Sequence, residues 1–175
     1  MKVYIGKYPK DPAQDRKIEV RIDKQDLWGL DHTLALIIHP ALVKLKGCKH
    51  GSPHVEDADV PEELRRPADY DNNMSSTDDN WHKRWEWVLD EMIFAFDCIK
   101  NDDWEDQFHT GEHDFLFKPV DKEGNPVDEE SAQWFELTTG PNDTHVFDKE
   151  GFMAMSDRIN NGTRLFGVYY RGLWD

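Results

Sequence analysis

The run "WHKRWEWVLDEMIFAFDCIK", residues 81–100, leaves this chain the least freedom. Its large apolar side chains Trp85, Leu89, Met92 and Phe96 recur at helical spacing, so the segment reads as one long helix with that stripe in the core. The preceding "TDDN" brings negative charge to the helix N-terminus, where the aligned peptide dipoles favour it. The opposite side carries His82, Glu86, Asp90 and Asp97, a polar ridge interrupted by Ile93 and Phe94.

Other segments give shorter elements. In "MKVYIG" and "KIEVRID" the residues Val3, Ile5, Ile18, Val20 and Ile22 alternate with polar ones, the pattern of two half-buried strands. "DHTLALIIHPALVKLKG" is apolar at helical spacing, and its Pro40 lacks the amide that would bond the carbonyl of Leu36. A kink or a split is expected there. Residues 48–80 are rich in Gly, Pro, Asp and Ser, which reads as a flexible loop with one short helical stretch at "PEELRR". "DFLFKPV" and "QWFELTT" read as strands of a hairpin with a long loop. Residues 148–175 read as a last helix with Phe152, Met155, Ile159, Phe166 and Tyr169 near one face. The order strands, helices, hairpin, helix predicts an α+β fold: a single domain over residues 1–175, with three main helices packed against a small antiparallel sheet.

Composition narrows the setting. Thirty-six acidic against twenty-one basic residues give a formal charge of −15, which disfavours nonspecific nucleic-acid binding and anionic lipid. Seven Trp and nine Phe concentrate burial in a few large side chains despite an apolar share of 38%. No apolar run has the length of a membrane span, so no membrane partner is expected. Cys48 and Cys98 form no CxxC pair and "MKVYIGKYPK" lacks the apolar run of a signal peptide, which points to a reduced cytosolic protein.

Chemistry-bearing motifs are few. "HTGEHD" sets His109, Glu112 and His113 at the spacing of an inverted zinc motif, which needs a helix to aim both imidazoles at one metal. Gly111 in its centre and the apolar run from Phe115 favour a surface turn instead. His145 is the other histidine of this half, and no pattern assigns it as a third ligand. His82, Glu86, Asp90 and Asp97 are the alternative metal set, with Asp31, His32 and His39 of the first helix as the nearest complement. A solvated or salt-bridged helix face is the default reading, and Arg158, Arg164 or Arg171 would pair Asp90 or Asp97 if either were buried. No cofactor is called for. "KHGSP" offers Lys49, His50 and Ser52 beside a glycine, a turn by default and a ligand-contacting loop as the sharper reading. "GVYYRGLWD" gathers Tyr170, Arg171 and Trp174, residue types that anchor interfaces, or dock onto their own core. Arg84, with Arg65 and Arg66, completes the cations available to an anionic ligand.

Three segments in order, a DxTLA helix at Asp31 to Ala35 with the Gly51 to Pro53 turn behind it, a W-x-x-x-LD-x-MI-x-AF helix from Trp85 to Phe96, and a terminal LF-x-x-YY-x-x-LWD from Leu165 to Asp175, carry a resemblance. The chain resembles a family of small uncharacterised proteins encoded by tailed bacteriophages. The resemblance implies a setting, the cytoplasm of the infected bacterial host, and transfers no catalytic residue. The function expected there is a soluble accessory binding protein that sequesters or inhibits a host defence component, either a protein or a small signalling molecule. A metal-dependent nucleotide or phosphoester hydrolase and a minor virion or assembly component are the alternatives. Homo-oligomerisation through the terminal aromatics fits all three.

Overall fold

The computed structural model describes residues 1–11, 13–67 and 77–174. The fold is α+β, as the element order predicts, with three α-helices and small antiparallel sheets of two strands each among the described residues. In chain order these are β1 (Lys2–Ile5), β2 (Ile18–Arg21), α1 (Leu30–Cys48), α2 (Trp81–Asn101), β3 (His109–Thr110), β4 (Phe115–Val120), β5 (Trp134–Thr139), β6 (Val146–Phe147) and α3 (Lys149–Val168). β1 pairs with β2, β3 with β6 and β4 with β5. The chain divides into two compact units, Met1–Trp104 with Ser156–Asp175, and Glu105–Met155. Among the described residues no helix is long and apolar enough to cross a membrane.

The first unit is organised by α2. Trp85, Leu89 and Met92 are fully buried and Phe96 nearly so, which makes the apolar stripe read from the sequence the centre of the core. Ala35 and Leu42 of α1 and Leu165 at the end of α3 pack into the same cluster. α1 runs as one helix through Pro40, so the sequence expectation of a split is corrected. A single missing amide removes one hydrogen bond from a helix whose remaining turns still pack on α2. At Gly162 an added Cβ would lie 2.4 Å from the carbonyl oxygen of Glu91 and 2.5 Å from the Cβ of Ala95. The close approach of α3 to α2 therefore requires glycine at this position.

The buried charges inside this unit are matched. Arg84 is 1% exposed, and its guanidinium donates to Asp78 and to the carbonyl of Leu64. Glu91 accepts two hydrogen bonds from Arg158, at 3.0 and 2.7 Å, in the fork geometry that suits a carboxylate. Arg158 also lies 3.6 Å over the ring of Phe94. The hydroxyl of Tyr169 donates to Asp59 at 2.7 Å and accepts from the amide of Glu56 at 3.0 Å. Burial, with Asp59 beside it, pushes that phenol up to about 12. Val55 and Val60 join the core, so much of the loop expected to be flexible is held in place. Residues 68–76 of the predicted loop lie outside the described residues. The "PEELRR" helix shrinks to a three-residue turn, Glu62–Leu64.

The strands of β1 and β2 pair in the register Val3↔Val20 and Ile5↔Ile18, and every residue of both strands is exposed. This corrects the expectation of half-buried strands. Alternation predicts a two-sided strand correctly, but it cannot supply the layer that covers the apolar side.

Candidate functional site

The residues singled out in "KHGSP" and the C-terminal segment come together in the first unit. α1 ends at Cys48, Lys49 takes an extended backbone, and the chain turns across the first turn of α2. There the indole nitrogen of Trp81 donates to the carbonyl of Ser52 at 3.2 Å, and the Ser52 hydroxyl lies 2.9 Å from Nδ1 of His82. Trp174 lies against Gly51, where an added Cβ would sit 3.1 Å from its ring. Gly172 faces Pro53 in the same way, with 3.0 Å to the ring carbon. Two glycines thus let the loop and the C-terminal segment meet, and Trp174 stays 52% exposed. Beneath them Trp85 is fully buried, and its indole nitrogen has no acceptor among the described residues.

Each predicted residue has a definite place. Lys49, Ser52 and Trp174 belong to this surface, as does His82, and His50 follows Lys49 in the same loop. Tyr170 is exposed and packs edge-on against Phe166, and Arg171 is exposed in the short turn Tyr170–Gly172. Arg84 is elsewhere: buried and paired with Asp78, it fixes the approach to α2 and presents no charge to a ligand. Arg66 is taken by Asp57, and Arg65 reaches the carbonyl of Val60 at 3.4 Å.

The acidic ridge of α2 is a ladder to α1. Glu86 pairs with Lys49 at 3.1 Å, Asp90 with Lys46, and Asp97 with His39 at 3.4 Å and with Lys100 at 2.7 Å. The partners descend α1 as they ascend α2, the register of antiparallel neighbours. These carboxylates are about half exposed and their partners are lysines and a histidine, so the arginines named as partners from the sequence do not serve them. Arg158 goes to Glu91 and Arg164 to Asp59. Lys100, by hydrogen bonding, holds the Asp97 carboxyl below the usual carboxylate range. His82 has no carboxylate partner among the described residues, so its contact with Ser52 fixes the loop and does not form a triad.

Sequence reasoning missed a histidine cluster in the second unit. His109 opens β3, Gly111 follows at φ +74°, and an added Cβ there would lie 2.1 Å from the carbonyl of Thr144. The "HTGEHD" segment is therefore a turn, as expected, though it is entered from the short strand β3, and the turn brings in His145 from the chain before β6. Nδ1 of His109 is 2.9 Å from Nε2 of His145, and the rings of His113 and His145 stack at 3.7 Å. Asp143 fastens the turn: it accepts the amides of Asp114 and His145 and lies 3.6 Å from Nδ1 of His113. The amide of Asp114, above all, holds Asp143 below its ordinary value. Desolvation, then His113 and His109, lower His145. The rings lie face to face instead of aiming nitrogens at one point, and among the described residues no set of three or more His, Cys, Asp or Glu is arranged to hold a metal ion. The available signal for this cluster was the glycine between the histidines, which serves both the positive φ of the turn and the close approach of Thr144.

No family model, curated protein or solved structure gives a significant match to this chain.

Proposed function

We propose that the protein is a phage-encoded accessory binding protein that acts in the cytoplasm of the infected bacterial host by occupying a host protein. The observation that carries this reading is the seat of Trp174 on Gly51. A half-exposed indole is held in place against the loop that carries Ser52, whose hydroxyl meets His82, with exposed Tyr170 and Arg171 in the preceding turn. Fixed aromatics and arginine are the residues that carry binding energy at protein interfaces, and a prearranged anchor loses little entropy on docking. A protein partner fits better than a charged signalling molecule. The groove that reaches the C-terminal segment, about 260 Å³ beside α1, is lined by Ile37, Ile38, Ala41, Leu42, Leu45, Phe166 and Leu173 and offers no polar side chain to orient a charge; the cleft of about 450 Å³ with His39 and Lys44 lies on α1 alone.

The hydrolase alternative draws no support from the ridge, because Glu86, Asp90 and Asp97 already neutralise cations of α1 and of their own helix. A role in an assembly is the second reading, and the bare faces of the β-hairpins favour it.

The test is affinity capture from a bacterial lysate with the wild type and with Trp174→Ala as baits, followed by titration of the purified partner. One host protein held in stoichiometric amount by the wild type and released by the variant is the expected result. Identical background from both baits contradicts the reading. Stoichiometric metal remaining after dialysis would favour the hydrolase.

A further inference from the structure

The two longer hairpins share a feature that neither the binding surface nor the core uses. In β1–β2 the register puts Val3, Ile5, Ile18 and Val20 on one face, and Lys2, Tyr4, Glu19 and Arg21 on the other. The aliphatic face is uncovered, its four side chains 38% to 65% exposed. In β4–β5 the register puts Phe115, Phe117, Phe135 and Leu137 on one face, and these are 51% to 68% exposed. A two-stranded sheet with a bare apolar face is marginal in water and gains stability when that face is covered.

The net charges of the two hairpins with their loops are opposite. Residues 1–24 carry seven basic and four acidic side chains, whereas residues 115–139 carry two basic and six acidic ones. The N-terminal hairpin is thus a basic island in a chain of net charge −15. We infer that the β1–β2 hairpin of one copy docks face to face on the β4–β5 hairpin of a second copy of this chain. The apolar faces supply the burial, as in any pair of packed sheets, and the opposite charges select the pairing. Pairing of either hairpin with its own twin in the second copy would set like charge against like and is disfavoured. Each copy carries one hairpin of each kind, so every contact joins the β1–β2 face of one copy to the β4–β5 face of another. This inference is independent of the Trp174 surface.

Sedimentation velocity of the full chain tests it, with Val20→Lys and Phe117→Lys as variants. Both positions are exposed, so neither change disturbs a packed core, and far-UV circular dichroism checks that the fold is retained. The wild type should dimerise with rising concentration and dissociate as salt is raised. Each variant alone lacks one of the two faces that the contact needs and should run as a monomer. A mixture of the two should recover a heterodimer, because Val20→Lys keeps an intact β4–β5 face and Phe117→Lys keeps an intact β1–β2 face, leaving one good contact. A wild type that stays monomeric at its solubility limit would overturn the inference. So would a dimer that survives in either variant, or a mixture that remains monomeric.

Discussion

α2 and the β1–β2 hairpin are both amphipathic, and they differ in what happens to the apolar side. On α2 every large residue of the stripe is buried, and even the intruding charges Arg84 and Glu91 have partners in fork geometry or close to it. On the hairpin the same kind of patterning ends in solvent. Amphipathicity therefore states that a face needs cover, and only tertiary structure states where the cover comes from. The helices of the first unit answer that need among themselves, whereas the apolar faces of the hairpins stay exposed.

The contrast can be broken first at its strongest point. Arg84→Met should destabilise the fold by about 3 kcal/mol or more, because it leaves the buried Asp78 carboxylate without its cation, with the amide of Asn80 as a remaining donor, and takes the guanidinium from the Leu64 carbonyl. Denaturant unfolding followed by tryptophan fluorescence measures it, and adding Asp78→Leu should return part of the loss. Gly162→Val should cost about 2–3 kcal/mol by forcing α3 away from Glu91 and Ala95. Tyr169→Phe keeps the ring against Trp85 but removes the hydroxyl shared by Asp59 and Glu56, at a cost of about 1–2 kcal/mol.

In the second unit the effect follows pH. The folded state lowers the pKa of His145 below 6.5, so its neutral form is favoured. The stability this contributes is complete above pH 6.5 and is lost as pH falls through the lower folded value. NMR titration of the imidazole protons should place His145 below the ordinary histidine range, and His113→Ala should move it upward. Smallest of all, Val20→Lys should leave monomer stability within about 0.5 kcal/mol of the wild type, since its side chain touches no core. A larger loss there would mean that the hairpin face is covered within one chain.

The sequence made the helices legible because their stripes are long and the side chains large. It also made the strands of both hairpins legible, and with them the α+β class. Partners were harder to read. Lys46 and Lys49 answer Asp90 and Glu86 only in an antiparallel register that neither helix announces alone. Glu91 sits on a stripe with Val88 and Ala95, a carboxylate among apolar neighbours, and that was the available sign of its buried pairing with Arg158. Of the candidate surface, Lys49, Ser52 and Trp174 were legible by residue type. Trp81 and the two facing glycines were not, because their roles arise from segments far apart in the chain.

Hydrogen exchange at low and high protein concentration tests most directly whether the helical layer is self-sufficient while the hairpins await a partner. Amides of Val88 to Phe96 should be protected equally at both concentrations, whereas those of β1, β2, β4 and β5 should gain protection as concentration rises. Hairpin amides that exchange at one rate throughout would contradict it, and so would helix amides that need concentration to be protected.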